Sequence, residues 1–249
     1  MGLVLFGAAS AAAADTCAGR TRLDSGHAPR FSVSQAHELS SLSRRPEVIS
    51  HAVGEEHIEG KKRVVAELGM HAVFDVPLEH LSDALHSTAS LEEFVPGVKE
   101  SRLLCEAEGN PPYFRQRLRT SFGVLFFRSG YDAVMEMRIH DGSDEYRCRF
   151  ELRRSVDGKL LRIHGSWYAR PVQVDGQERT YIRYHVRNVF AKKQFGLKMV
   201  LRRFSAWQVR RTLEAYAERA RELERRAATA SAEEAVSDNG SQSLSSQRR

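Results

Sequence analysis

The residues best able to do chemistry in this sequence are ten histidines and three cysteines, and their spacing argues against a shared site. Cys17, Cys105 and Cys148 are too few and too scattered for a disulfide framework or a metal knuckle. A Cys105–Cys148 bridge is open to an oxidising compartment; otherwise each reads as a small apolar residue. Four histidines precede residue 61, and His80 and His86 stand six apart on short helical segments, which does not bring them to one face. There is no G-x-S-x-G, H-E-x-x-H, P-loop, C-x-x-C or dinucleotide fingerprint. The expectation is no metal, no cofactor and no assignable catalytic residue. Acid–base work, if any, falls to an Arg, Tyr or Asp facing a pocket.

What does recur is large, soft apolar side chains on alternate positions. Met70, Phe74, Phe122, Met135, Met137 and Phe150 read as one-sided strand positions, as do Trp167 and Tyr184. Trp207 and Tyr216 share the terminal amphipathic segment, and Phe94 and Met199 complete the set. Methionine is flexible and polarisable, which suits an adaptable pocket wall. Each residue alone reads as core; together they are the candidate lining of a cavity. Gln116, Thr120, Tyr184 and Tyr216 could orient a ligand headgroup, whereas His71 reads with its strand's wet face. The rows Arg115/Arg117/Arg119 and Arg147/Arg149/Arg153 alternate outward. They read first as a solvated sheet face paired to Glu136 and Glu151, and second as a dock for an anionic membrane, joined by Lys192-Lys193 and Arg202-Arg203.

These side chains need a scaffold, and the periodicity supplies one. Val64–Val76 alternates Ala66, Leu68, Met70, Ala72 and Phe74, and Pro77 ends the strand. Leu78, Leu81 and Leu85 fall at helical spacing, and a second short helix after Ser90 stops at Pro96-Gly97. Six further strands follow: Val98–Ala107, Tyr113–Phe127, Tyr131–Ile139, Tyr146–Leu152, Leu160–Val172 and Arg179–Val189. Asp141-Gly142, Asp157-Gly158 and Asp175-Gly176 mark turns between them. From Phe195 to Arg226 the period changes to that of a helix, with Val209, Leu213, Tyr216, Ala220 and Leu223 on one face. The fold class is therefore α+β: a curved seven-stranded antiparallel sheet around a long C-terminal helix, with two short helices after strand 1. One helix, about 10 Å thick, cannot fill the hollow of so wide a sheet, and the residual space suits an apolar ligand.

Several strings carry a family resemblance. Leu91-Glu92-Glu93-Phe94-Val95-Pro96-Gly97-Val98 running into Lys99–Leu103, Gly165-Ser166-Trp167 with the later Pro171, and Arg202–Ala220 resemble the polyketide cyclase/dehydrase and coenzyme-Q-binding branch of the START-like (SRPBCC) superfamily. The likeness covers about residues 62–222. It implies a helix-grip fold and a hydrophobic pocket for lipids, sterols, quinones or polyketides, without shared catalytic machinery.

Composition agrees with a globular domain: 249 residues, 41% hydrophobic and 28% charged, with a net charge of +6. The domain is expected over 61–226, a disordered tail over 227–249 and a disordered leader over 15–60. Residues 1–14 are uncharged and apolar or small, and Ala12-Ala13-Ala14 before Asp15 fits a signal cleavage site. Such a signal implies a periplasmic or secreted protein; without it the chain is cytoplasmic or organellar. The expected function is binding, with transfer left open, of a hydrophobic ligand such as a lipid or isoprenoid quinone; a cyclase/dehydrase-type enzyme using the same pocket is the alternative. Transient contact with an anionic membrane is expected, and no nucleic-acid motif is present.

Overall fold

The computed structural model describes residues 36–107, 112–124, 127–192 and 195–246. The signal expected at residues 1–14 lies outside them. The elements are α1 (Ala36–Arg44), β1 (Glu47–Ile58), β2 (Lys61–Phe74), α2 (Leu78–His86), a 3-10 turn (Thr88–Ser90), α3 (Leu91–Phe94), β3 (Val98–Ala107), β4 (Tyr113–Val124), β5 (Phe127–Asp141), β6 (Tyr146–Ser155), β7 (Leu160–Val174), β8 (Gln177–Phe190) and α4 (Leu197–Ser246). All strands join one antiparallel sheet in the order β1-β2-β8-β7-β6-β5-β4-β3. The crossover through α2 and α3 carries the chain from β2 to the far edge. The meander then returns it beside β2, so the sheet cups α4.

The sheet has eight strands rather than seven. β1 lies inside the stretch read as leader, and its composition hides it. It is an edge strand with no fully buried residue, so selection has left no apolar alternation to read. Its turn is more legible in hindsight: Glu59 and Gly60 both take positive φ, 54° and 69°, the two-residue geometry that matches strand twist. Before β1, α1 lies against the convex face of the sheet, where Leu42 packs with Val73, Val174 and Tyr181. At the other end α4 does not stop near Arg226 but runs to Ser246. Among its described side chains the buried positions end at Ala220, with Leu223 half-buried, so the boundary read from packing falls near there and the helix outlasts it.

On the concave face, three rows of side chains cross the strands. One row runs Met70, Tyr184, Trp167, Cys148, Ile139. The next runs Leu68, Val186, Gly165, Phe150, Met137, Phe114. The third includes Ala66, Asn188 and Ile163. Gly165 is required by its row: a Cβ there would sit 2.3 Å from Phe150 Cζ and from His185 O, so its absence lets the Phe150 ring lie across β7. Cys148 is a free, buried thiol, pushed up to about 12 by desolvation. A Cys105–Cys148 bridge is thereby ruled out.

The convex arginines are largely neutralised in place. Arg117 forms a two-pronged bond to Asp132 at 2.9 and 2.6 Å, and Arg119 meets Glu100 at 3.1 Å. Glu136, fully buried, receives Arg115 at 3.2 Å and Arg138 at 3.4 Å. Arg147 pairs with Glu145. A buried carboxylate must be paired in this way to be tolerated at all.

Candidate ligand-binding cavity

The two halves of the cup are filled differently. α2 packs on α4 and on β7 and β8, and Leu81 and Leu85 join Ala72, Phe74, Ile139, Tyr146, Ala169 and Ile182 in a solid core. The half nearer the start of α4 stays open. There a cavity of about 260 Å³ lies between the sheet and α4.

Of the twelve residues expected to line it, seven do: Met135, Met137, Phe150, Trp167, Tyr184, Trp207 and Tyr216. Phe122 has a side chain outside the described residues. Four expectations need correction. Met70, with no exposure, and Phe74 point to the concave face but are sealed in the core and do not line the cavity. Phe94 stands behind the wall, edge-on to Tyr216 at 5.4 Å and beneath the Arg219 guanidinium at 5.8 Å. Met199 is 56% exposed on the outside of α4. Alternation assigns a residue to a face, but not to a depth along the strand.

An aromatic group forms the floor. Trp167 lies 4.4 Å from Tyr184 and 5.2 Å from Tyr216, and Phe150 stacks on Tyr184 at 6.0 Å. These ring geometries hold the wall rigid beyond simple area burial. The roof is the α3–β3 loop. Gly97, at φ 89°, has no room for a Cβ, which would meet Ser121 O at 2.9 Å and Gln208 Nε2 at 3.0 Å. Ser121 N donates to Gly97 O at 2.7 Å and Gln208 Nε2 to Pro96 O at 2.6 Å. The loop is thus pinned to both β4 and α4. Trp207, half exposed, lines the cavity from α4 and marks its mouth.

The polar groups of the described lining residues are almost all uncharged. Burial pushes the phenols of Tyr131, Tyr184 and Tyr216 above the usual tyrosine range, so each remains a hydroxyl that can donate. Gln116 spends its amide on Thr88 O at 2.6 Å and on Ser101 Oγ. Asn188 lines the cavity, and its buried Oδ1 accepts no bond from any described residue, an uncommon condition that costs stability. Among the described lining residues Glu67 alone carries a charge, and it is engaged by His185 at 3.2 Å and Arg187 at 3.8 Å. His71, as expected, is off the cavity, near Tyr181 on the convex side. Asn188 and Tyr131 escaped the sequence reading as site residues. The signal for Asn188 was available: it interrupts the apolar series Ile182, Tyr184, Val186, Phe190 on one face of β8. Among the described residues no group of three or more His, Cys, Asp or Glu could hold a metal ion.

No family model and no curated protein matches the chain. Solved structures do. Human StAR-related lipid transfer protein 5 superposes with a TM-score of 0.52 at 10% identity, over 76% of this chain and 94% of that one. A STAR-related lipid transfer protein from Xanthomonas axonopodis gives 0.48 at 15% identity, over 69% and 98%. The Zhui aromatase/cyclase from a Streptomyces gives 0.44 at 18% identity, over 66% and 96%. At such identities the likeness is one of architecture. With the cupped antiparallel sheet and its long closing helix, the chain has the START-like helix-grip fold.

Proposed function

We propose that the protein binds a neutral hydrophobic molecule of modest size in the cavity between the sheet and α4, and carries it shielded from water. The observation that carries this reading is the wall itself: about 260 Å³ lined mostly by aromatic, Met and aliphatic side chains, with hydroxyls and amides supplying nearly all of its polar groups. That volume sits just under the ~300–1,000 Å³ typical of pockets for drug-sized ligands. It suits a single chain, a ring system or a quinone headgroup better than a lipid with two acyl chains. Burial of apolar ligand area at about 25 cal/mol per Å² supplies the affinity. The protonated phenols and Asn188 suit a hydroxyl, amide or carbonyl on the ligand, and among the described lining residues no free charge stands ready for a carboxylate or phosphate. The lipid-transfer name of the human structural neighbour agrees with this reading.

A cyclase-type activity in the same cavity is the second reading, favoured by the phenols of Tyr131, Tyr184 and Tyr216, which could hydrogen-bond an enolising carbonyl. Among the described lining residues it lacks a base: Glu67 is engaged by His185 and Arg187, and phenols raised by burial are poor proton acceptors at neutral pH.

Displacement of a fluorescent apolar probe tests the proposal. Long-chain alcohols and short-tailed quinones should compete, the matching fatty acid should compete less well, and phosphatidylcholine should not compete. Equal competition by the fatty acid and phosphatidylcholine would overturn it.

A further inference from the structure

Between Glu178 and Glu214 the chain contains no acidic residue, while Arg and Lys recur throughout. This stretch includes the first four turns of α4, which bear the cavity mouth. Met199, Arg203, Trp207 and Arg211 follow at steps of four, which places them on one helical face. All four are exposed, Met199 at 56% and Trp207 at 50%. The Arg211 guanidinium lies over the Trp207 ring, 5.1 Å from its centroid. Among the described residues neither Arg203 nor Arg211 has an acidic partner. Exposed Lys192 lies just before α4. Arg202 is differently employed: it donates to Val53 O at 3.1 and 3.3 Å and fastens α4 to β1.

We infer that this face of α4 docks on an anionic lipid bilayer, with Trp207 and Met199 entering the interface and Arg203 and Arg211 meeting lipid phosphates. The charge pattern is complementary to such a surface. Tryptophan between apolar and polar surroundings is at home at headgroup depth. Exposed apolar side chains next to unpaired arginines lose nothing by this contact, whereas an acidic protein partner would leave Met199 and Trp207 without a reason. Among the described residues no helix is long and apolar enough to cross a membrane, and the contact proposed is peripheral. Trp207 belongs to both the face and the mouth, so docking sets the cavity's opening against the bilayer. Of the convex arginine rows, which sequence alone offered as the dock, Arg115, Arg117, Arg119 and Arg147 are held by Glu136, Asp132, Glu100 and Glu145. Docking goes beyond ligand binding and stands whether or not the cavity is loaded.

Co-sedimentation of the full chain with phosphatidylcholine vesicles, with and without phosphatidylserine, tests this. Binding should require phosphatidylserine and weaken with salt. The double variant Arg203→Gln/Arg211→Gln should bind about 25-fold more weakly, from about fivefold per cation removed. Met199→Ser should weaken binding independently, and Arg147→Glu on the convex sheet should leave it unchanged. Lipids brominated on their chains should quench the Trp207 share of the fluorescence and leave that of buried Trp167. Circular dichroism confirms that each variant is folded; the substitutions are at exposed positions. No binding by the wild-type chain, binding unaltered in the double variant, or binding lost in Arg147→Glu would each overturn the assignment.

Discussion

Ala66→Phe should raise the melting temperature and abolish ligand uptake together. Ala66 lies on β2 in the row with Asn188 and Ile163, its side chain at the cavity wall. A cavity of about 150 Å³ suffices for a benzene ring. A phenyl group would therefore occupy more than half of the 260 Å³, leaving about 110 Å³, too little for the molecule proposed. Burying the ring in existing space gains about 1.5–3 kcal/mol, less about 0.5–1 kcal/mol for its lost rotamers. A net gain of about 0.5–2.5 kcal/mol corresponds to roughly 1–10 °C at this chain length. If that space were already filled by the protein's own side chains, the substitution would overpack and cost about 1–3 kcal/mol. Calorimetry on delipidated wild type and variant decides between these by sign, and titration with a fluorescent apolar probe supplies the second reading. A lowered melting temperature with undiminished probe uptake would refute the reasoning.

Other expectations rest on single residues. Asn188→Leu should stabilise the empty protein by about 1 kcal/mol, because an unmet buried acceptor is removed, while weakening ligands that donate a hydrogen bond; an unchanged melting temperature would mean that Oδ1 is already satisfied. Gly165→Ala should cost about 1–3 kcal/mol, since the new Cβ meets both Phe150 and the His185 carbonyl; a neutral effect in urea melts would contradict the packing described. Stability should fall on acidification in two stages. Burial, helped by Arg187 and His185, holds His164 below the usual imidazole range, so the unfolded chain takes up a proton near pH ~6.5 that the folded chain resists. Below that, Asp132, held low chiefly by its hydrogen bond from Arg117, contributes stability that is present above pH ~3.9 and lost as pH falls through its folded value. Urea melts at pH ~7.5 and ~5.5 should differ less for His164→Gln than for wild type; an equal difference would remove His164 as the cause.

The architecture was legible because most strands are wet on one face and dry on the other. Tyr146, Cys148 and Phe150 against Arg147, Arg149 and Glu151 leave little room for another reading. β1 was not legible, because an edge strand that buries nothing completely writes no period into its sequence. The cavity was legible as a face and not as a volume. Met70 and Met137 have the same pattern, yet Met70 is sealed in the core and Met137 lines the cavity. That difference depends on how the sheet and helices pack over long range, which no local spacing records. The arginine rows illustrate the converse. Their outward direction was readable, but their neutralisation by Asp132 and Glu100 depends on cross-strand register, which the turn residues only bound.

The central claim is that the hollow beside α4 is a seat for an apolar guest. Native mass spectrometry of the full chain purified from cells, with organic extraction of the same sample, addresses it most directly. The account predicts one neutral apolar molecule per chain, lighter than a two-chain lipid and absent from Ala66→Phe. Clean, empty protein that takes up no apolar compound on exposure would contradict it.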